Sequence, residues 1–283
     1  MPHSRRRLPM PDAAASEAQL QTSRFKVPGE GNSAAISVAT MVTLIVLWFL
    51  ITNMGWVKPL FLPSPQAVIQ QFYEYLTGSA NDKTLLQHSA ASISRVSVAF
   101  ALAVVTAVPI GIAMGMSRVA RGIFDPPIEL YRPLPPLAYL PLIIIWFGID
   151  ELPKVLLIFL GSFAPLAMAA RSGMKSASQE QINAAYSMGA SYGQVIRHVI
   201  LPSALPDILT GMRIAIGFGW STLVAAEMVA ANVGLGQMVL NASNFLRTDI
   251  VIMGIIVIGV VAYLFDLFMR WVERKLVPWK GRT

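Results

Sequence analysis

The residues from Ile182 to Pro202 read INAAYSMGASYGQVIRHVILP. They form a polar segment between two long apolar runs, and they are not hydrophobic enough to cross a membrane. Glycine occurs twice in this segment, which ends at a Leu-Pro pair. Its local signals therefore decide whether it is a loop or a folded element.

Two capping boxes indicate that this segment folds as two short helices. Ser178 precedes Gln181 by three residues, and Ser191 precedes Gln194 by the same spacing. In such a pair the hydroxyl accepts from the third amide while the Gln side chain reaches back. Gly189 lies between the two boxes and can adopt the positive φ that ends a helix. We therefore predict a helix, a tight turn and a second helix.

The residues of this helical pair indicate where it ends and what it could contact. Leu201 and Pro202 are predicted to end the second helix, and Pro206 is predicted to start the next membrane span. Ala184 and Ala185 give the first helix a small face that permits a close approach. Such a pair could dock a partner protein or could merely cap the helix bundle, and the residues alone leave both readings open.

The composition indicates an integral membrane protein. The chain has 283 residues, of which 55% are hydrophobic and 13% charged, and its mean hydropathy is +0.59. Soluble domains carry about 25% charged residues. The absence of cysteine excludes disulfides and thiolate metal sites. The net charge of +7 would suit nucleic-acid binding in a soluble protein, but basic residues that flank membrane spans explain it better. We therefore expect lipid and no nucleic acid as a partner.

Apolar runs predict six membrane-spanning helices and an all-α fold. Each run has roughly 18 to 24 residues, enough to cross a hydrocarbon core of about 30 Å. The third run is dense in proline and should be broken or kinked, so its freed carbonyls must lie against protein or water. The predicted spans are 36–54, 96–116, 127–149, 153–170, 208–231 and 250–269.

The distribution of Lys and Arg predicts the orientation of these spans. If the N-terminus is inside, fifteen of the 22 basic residues flank cytoplasmic ends and four flank the opposite ends. Both termini should therefore be cytoplasmic, together with the polar insert at 178–202. We predict a disordered cytoplasmic tail over 1–33 and a transmembrane domain over 34–283. In the long outer loop, Ser64 and Pro65 should begin a short helix at the membrane surface.

The insert resembles the cytoplasmic signature of the permease subunits of bacterial ABC importers. That signature reads Glu-Ala-Ala, three residues, Gly, nine residues, Ile, one residue and Leu-Pro. The stretch NAAYSMGASYGQVIRHVILP keeps the spacing but has Asn183 in place of Glu and Val199 in place of Ile. Three further stretches resemble the nitrate, sulfonate and taurine branch of this family, most of all its taurine permeases: FLPSP at 61–65, LYRPLPPLAYLPLIIIWFGI at 130–149 and ILTGMRIAIGFGWSTLVAAEM at 208–228.

The resemblance implies a type I ABC importer permease fold and a homodimer in the bacterial inner membrane. It also implies two ATPase subunits, which bind ATP and Mg, and a periplasmic binding protein, while this chain binds no cofactor. The implied substrate is taurine or a related alkanesulfonate, with nitrate or another small organic anion as the alternative. The residues at the signature positions would couple the chain to its ATPase: Asn183, Ala184, Ala185, Gly189, Val199, Leu201 and Pro202.

The residues themselves argue against catalysis by this chain. No Gly-x-x-x-x-Gly-Lys-Ser/Thr phosphate loop occurs, so ATP hydrolysis would have to take place on another chain. His3, His88 and His198 lack metal-ligand spacing, so we expect no metal site and no catalytic residues. A secondary transporter that works alone is an alternative, although such proteins usually have broken helices in matching halves and only one broken run is found here. A membrane scaffold without transport activity is the third reading.

Charged residues in apolar spans are candidates for function. Glu129 and Arg132 are one helical turn apart, so they either neutralise each other or shape the pathway or its inner gate. Glu227 shares a helix face with Trp220, seven residues earlier. These two either contact the binding protein or an outer gate, or Glu227 has a structural partner.

The last two spans carry pairs and glycines that we expect to be structural. Asp266 and Arg270 are four residues apart and should form an ion pair. Gly211, Gly217 and Gly219 permit close helix approach and should serve packing rather than contact with the substrate.

Overall fold

The computed structural model describes residues 34–78 and 83–279, and all regular structure in this part of the chain is helical. The tail predicted at 1–33 lies outside the described residues. The helices in chain order are α1 (Ala34–Asn53), α2 (Pro65–Thr77), α3 (Leu85–Met116), α4 (Arg118–Tyr131), α5 (Pro136–Phe147), α6 (Glu151–Gly173), α7 (Gln179–Ser187), α8 (Tyr192–Val195), a π-helical turn (Ile196–Ile200), α9 (Leu201–Ala230), α10 (Leu235–Asn244) and α11 (Thr248–Leu276).

Helix α1 is an apolar helix of 20 residues without a charged side chain, which suits a membrane span. The hydroxyl groups of Thr40 and Thr43 donate to carbonyls four residues earlier, so these polar groups are satisfied within the helix. Most of α1 belongs to a compact unit that ends at Leu50, and the chain from Ile51 onward forms a second unit.

The predicted all-α architecture is confirmed. Five helices are long and apolar enough to cross a membrane (α1, α3, α6, α9 and α11), and α4 with α5 makes a sixth span if the bent pair counts as one. Helices α3, α6 and α11 are longer than predicted. Helix α3, for example, begins at Leu85 instead of residue 96. Its first turns contain Ser92 and Arg95, which lower the hydropathy but are buried and paired in the structure.

The break predicted in the span at 127–149 is confirmed, but the start predicted at residue 127 is wrong. Helix α4 begins at Arg118, well before that range, and ends at Tyr131, whereas α5 begins at Pro136. The two helices are bent by 101° at the break. Pro133 and Pro136 have no backbone N–H to continue a helical ladder, and Pro136 instead takes the first position of α5, where proline is tolerated.

The end predicted for the insert is also wrong, because α8 continues into α9. Tyr192–Ala230 form one helical stretch of 39 residues, in which Ile196–Ile200 make a π turn. The backbone N–H of Leu201 donates to the carbonyl five residues earlier. This wider turn precedes Pro202, which lacks an N–H, so the helix continues instead of stopping. Pro206 accordingly lies inside α9 and does not start it.

The helix bundle has its densest packing where α6 lies along both α3 and α9. Alanines and leucines with no exposed surface fill these contacts, including Ala103 and Ala107 of α3, Leu166 and Ala167 of α6, and Leu223 of α9. Small side chains bring helix backbones close together, which is how helices associate in lipid, where water drives no hydrophobic packing.

Two glycines of α9 make the approach to α6 possible. A Cβ at Gly211 would lie 2.1 Å from the Cβ of Ala169, and a Cβ at Gly219 would lie 3.0 Å from Oγ of Ser162. The packing role predicted for these two glycines is confirmed. At Gly217, in contrast, an added Cβ would meet nothing within 4 Å.

Substituting Gly211→Ala should destabilise the bundle by about 1–3 kcal/mol, because the added methyl can be accommodated only if α9 moves away from α6. The matched substitution Gly217→Ala, on the same helix, should be neutral or slightly stabilising because alanine favours helix. Equilibrium unfolding of the two purified variants in mixed micelles measures the difference. Equal stabilities would show that the close approach of α9 to α6 is wrong.

The short helix predicted in the outer loop is confirmed as α2. Its first turn is capped by Oγ of Ser64, which accepts from the N–H of Ala67 at 3.3 Å, and Gly78 ends it with φ 77°. Val68 and Tyr75 are buried, and α2 packs against α11. The position of α2 at the membrane surface stays a prediction.

Candidate functional site

A complete capping box starts α7, as predicted. Oγ of Ser178 accepts from the N–H of Gln181 at 3.3 Å, and the N–H of Ser178 donates to Oε1 of Gln181 at 3.0 Å. One turn later, Oδ1 of Asn183 accepts from Nε2 of Gln179 at 3.0 Å. Asn183 and its neighbour Ala184 are both exposed, so they present the outer face of α7 to any partner.

The turn after α7 is built on Gly189, whose φ is 82°. The N–H of Ala190 donates to the carbonyl of Ala185 at 3.1 Å, and the N–H of Gly189 donates to that of Tyr186 at 2.9 Å. This pair of bonds is a Schellman motif, which satisfies carbonyls that the end of a helix leaves without partners. The turn predicted at this glycine is therefore confirmed, and the backbone conformation explains the choice of residue.

Helices α7 and α8 enclose a groove. The second helix starts where the N–H of Ser191 donates to Oε1 of Gln194 at 2.7 Å. Ala185 of α7 and Val195 of α8 are buried at its base, whereas Met188 at its edge is 82% exposed. The groove has a volume of about 410 Å³ and is lined by Ala185, Met188, Gly189, Ala190, Gln194, Val195, His198 and Val199.

Three of the seven predicted coupling residues meet in this groove, namely Ala185, Gly189 and Val199. Leu201 and Pro202 instead begin α9, where both are half-buried. Their position continues the insert directly into a long helix of the bundle. The role of all seven residues in coupling stays a prediction.

Polar contacts join the inner ends of three helices next to the insert. Oγ of Ser176, which follows α6, donates to the carboxylate of Asp207 in α9. Arg171, in the last turn of α6, forms an ion pair with Asp125 of α4. These contacts tie the segment that leads into the insert to α9, and they tie α6 to α4.

An ion network that is buried except for Glu151 joins α3, α6 and α9 at the ends opposite the insert. Arg95 of α3 is 6% exposed, and its guanidinium donates to Glu151 at 2.5 and 2.8 Å. It also donates to Oε1 of Glu227 at 2.7 Å and to the carbonyl of Val233 at 2.6 Å. Lys154 completes the network by donating to Glu151 at 2.9 Å. Two cations and two carboxylates thus balance one another.

Glu227 organises the loop between α9 and α10. Its side chain has no exposed surface, and it accepts from the hydroxyl of Ser92 at 2.7 Å and from the N–H of Gly236 at 2.9 Å. Nδ1 of His88 lies 2.9 Å from the carbonyl oxygen of Gly234 and 3.1 Å from its N–H, so the tautomer of the imidazole decides which of the two it bonds. A Cβ at Gly234 would lie 2.3 Å from Cδ of Glu227, so only glycine allows the loop to approach the carboxylate this closely.

Sequence reasoning identified Glu227 but missed its partners. Arg95, Glu151 and Ser92 are not among the residues that the sequence predicts to be functional. One signal was present, since Arg95, Lys154 and Glu227 all fall at the same predicted end of their spans. A carboxylate buried within a membrane span needs a cation as a partner. Arg95 and Lys154 are the cations predicted at the same end of their spans as Glu227.

Glu129 and Arg132 form the predicted pair, with 3.7 Å between the guanidinium and the carboxylate. Trp220 is almost fully buried and packs edge-on against Phe265, with 6.3 Å between ring centroids. It therefore lies in the core of the bundle in this conformation. The role of Glu129, Arg132, Trp220 and Glu227 in a pathway or gate stays a prediction.

The structural pair predicted near the end of the last span is confirmed. Nε of Arg270 donates to Asp266 at 2.7 Å. The same carboxylate accepts from Arg213 of α9 at 3.0 Å, and Arg213 also lies 3.4 Å from Glu273. These contacts tie α9 to α11 near the inner ends.

Comparison with known proteins agrees with this architecture. The chain superposes with a TM-score of 0.60 on a chain of the methionine ABC transporter MetNI in an inward-facing conformation, over 68% of this chain and 95% of that chain. At 18% identity this likeness concerns the fold alone, and it confirms the predicted type I importer permease fold.

Two relatives are much closer in sequence. The taurine transport system permease protein TauC of Escherichia coli strain K12 is 52% identical over 250 residues, which cover 88% of this chain and 90% of that protein. A protein of Bacillus subtilis strain 168 named as the aliphatic sulfonates transport permease SsuC is 36% identical, over 84% of this chain and 85% of that protein.

The family is shown by a match that covers most of the chain. Residues 107–278 match the family described as binding-protein-dependent transport system inner membrane component. This range includes the α7–α8 groove, Glu151 and Glu227. The chain therefore belongs to this family and is an inner-membrane permease component of an ABC transporter, not its ATPase.

Proposed function

We propose that this chain moves taurine or a related alkanesulfonate across the bacterial inner membrane as the permease subunit of an ATP-driven importer. One observation carries this proposal, namely the 52% identity to a taurine transport permease over 88% of the chain. The match extends through the helices that form the bundle, so it concerns the membrane pathway as well as the insert.

The partners of the chain are a second copy of the permease, a pair of ATPase subunits and a periplasmic binding protein. The ATPases bind ATP and Mg, and this chain binds neither. An exposed face of α9 supports the second copy, since Gly217 and Ser221 lie one turn apart and are exposed, as are their neighbours Ile214 and Phe218. Small residues four apart permit close helix packing within membranes.

The insert is the element that receives the energy. Asn183 and Ala184 on the outer face of α7, with the groove of Ala185, Gly189 and Val199, form the surface that docks in the ATPase. When the ATPases close on ATP, α7 and α8 move as a rigid unit, because a Schellman motif and a capping box determine their geometry. Leu201 and Pro202 pass this movement directly into α9.

The ion network at the outer ends of the helices carries the movement of the insert to the other side of the membrane, where it changes access to the pathway. Arg95 and Glu151 hold the far ends of α3 and α6 together, and Glu227 adds the far end of α9 and the loop before α10. A push at the inner ends of α6 and α9 then rotates these helices together. The pathway between the two permeases changes sides, and Glu227 takes part by holding the outer ends of the helices.

Two other readings differ in substrate or in energy source. The 36% identity to an aliphatic sulfonates permease favours other alkanesulfonates as the second candidate, ahead of nitrate or another small organic anion. A transporter that works alone fits this family poorly, since its description names dependence on a binding protein.

Uptake of labelled taurine into proteoliposomes tests the proposed substrate. The complete transporter, with its own ATPase and binding protein, should accumulate taurine when ATP is supplied on the ATPase side. Unlabelled taurine should compete more strongly than ethanesulfonate, and nitrate should compete little. Accumulation of nitrate with no effect of taurine would contradict the proposal.

A further inference from the structure

The break between α4 and α5 opens a cavity that the coupling mechanism does not use. Its volume is about 460 Å³, within the range of pockets that hold small molecules. The walls come from the break itself, from Leu160, Gly161, Pro165 and Met168 of α6, and from Phe218 of α9. We call it the Arg132 cavity, because Arg132 is the charged residue in its lining.

The Arg132 cavity lies midway along the spans. Gly161 is near the middle of α6, and Phe218 is near the middle of α9. Irregular backbone at this depth is tolerated only where it contacts protein or lines a water-filled cavity. Broken helices at the midplane are also where membrane transporters place substrate sites.

Arg132 has unused hydrogen-bonding capacity. Its guanidinium is 51% exposed, and within the described residues its one ion-pair partner is Glu129 at 3.7 Å, beyond hydrogen-bond distance. Arg95 and Arg213, in contrast, both donate to carboxylates. A cation held at membrane depth without such donations marks a site where an anion can bind.

Arg132 and Glu129 carry charges complementary to those of an aminosulfonate, which has an anionic sulfonate group and a cationic ammonium group. A guanidinium presents several N–H donors in a planar fork, which suits an oxyanion with more than one oxygen. The carboxylate of Glu129 is half-exposed and lies 3.7 Å from Arg132, beside the cavity lining and not within it, where it suits an ammonium group. The apolar walls of Leu160, Met168 and Phe218 suit a short alkyl chain.

We propose that the Arg132 cavity is a subsite of the permease for the sulfonate group of the substrate. Arg132 donates to the sulfonate oxygens, and Glu129 accepts from the amino group of an aminosulfonate. This inference rests on the proposed function for the identity of the substrate. Its anion preference, however, can be measured without transport.

Single-cysteine labelling tests the subsite, because the chain has no cysteine of its own. Met168→Cys places a thiol in the wall of the cavity, and Ser243→Cys places one on an exposed part of α10 as the control. The assembled transporter in lipid nanodiscs is treated with sulfonatoethyl methanethiosulfonate or with the cationic trimethylammonioethyl reagent. Labelling of this chain is followed by intact-protein mass spectrometry.

The anionic reagent should label Met168→Cys about tenfold faster than the cationic one, relative to the control position, as expected for one charge-assisted contact. Arg132→Gln should abolish this preference, whereas Arg118→Gln, an exposed arginine in the first turn of α4, should leave it unchanged. The subsite is wrong if the preference equals that at Ser243→Cys or survives Arg132→Gln. It is also wrong if neither reagent labels Met168→Cys, because the cavity would then be closed to water.

Protection by ligands separates this inference from the proposed function. Taurine and ethanesulfonate should both slow the anionic labelling, and Glu129→Gln should weaken protection by taurine about tenfold without weakening protection by ethanesulfonate. Equal effects on both ligands would overturn the role of Glu129. If the charge preference holds but the wild-type transporter does not take up taurine, the anion subsite stands and the proposed substrate fails.

Discussion

Substituting Arg95→Met lowers the free energy of unfolding by about 3–5 kcal/mol, the expected cost of removing one partner from a buried ion pair. Without Arg95, the fully buried carboxylate of Glu227 keeps the hydroxyl of Ser92 and the N–H of Gly236 but has no cation. Glu151 loses less, because it is 62% exposed and retains Lys154. The loss should appear in equilibrium unfolding of the purified permease in mixed micelles.

The matched control for this substitution is Arg270→Met. Arg270 also pairs with a carboxylate, at 2.7 Å from Asp266, but it is about half exposed. An exposed pair contributes about 0–1 kcal/mol, so this variant should be close to wild type. Arg95→Met combined with Glu227→Gln should recover part of the lost stability, because the double variant no longer buries an unpaired charge. Equal losses for Arg95→Met and Arg270→Met would contradict the structural role of the network.

Gly189→Val is expected to reduce taurine uptake at least tenfold while the helix bundle stays folded. The backbone at this position has φ 82°, a region that a β-branched residue adopts only under strain of about 1–3 kcal/mol. An added Cβ meets nothing within 4 Å, so the effect comes from the backbone and not from a clash. The turn would relax, α8 would leave its place beside α7, and the ATPase would no longer engage both helices.

Gly193→Val is the matched control for the turn. Gly193 lies four residues later in α8, its φ is not positive, and an added Cβ there also meets nothing within 4 Å. Valine is acceptable in this helical position, so uptake should remain near the wild-type rate. Uptake and ATP hydrolysis are measured in the same proteoliposomes. Equilibrium unfolding of each purified variant shows whether its helix bundle remains as stable as that of the wild type. If Gly189→Val transports like wild type, the turn does not have the coupling role proposed here.

The parts of the fold that were predicted correctly depend on local chemistry. The capping boxes at Ser178 and Ser191 and the turn at Gly189 use contacts within a few residues, which the order of residues reveals directly. The prediction failed at Leu201-Pro202 for a reason that is also local. A proline normally ends a helix, but a π turn before it lets the helix continue into α9.

The ion network could not be predicted from neighbouring residues. Arg95 is 132 positions from Glu227 and 56 from Glu151 along the chain, so the contacts exist only after three helices have packed. Hydropathy also misplaced the start of α3, because Arg95 and Ser92 appear too polar for a span until their partners are known. Pairing charged residues that fall at the same predicted depth is the reasoning that would have found them.

We propose that this permease is powered through its insert by ATP hydrolysis on another chain. The most direct measurement is taurine accumulation in proteoliposomes that contain the permease with its ATPase, with loaded binding protein outside and ATP inside. We predict accumulation only when the permease, the ATPase, the binding protein and ATP are all present. Accumulation by vesicles that contain this chain without any ATPase would contradict the account.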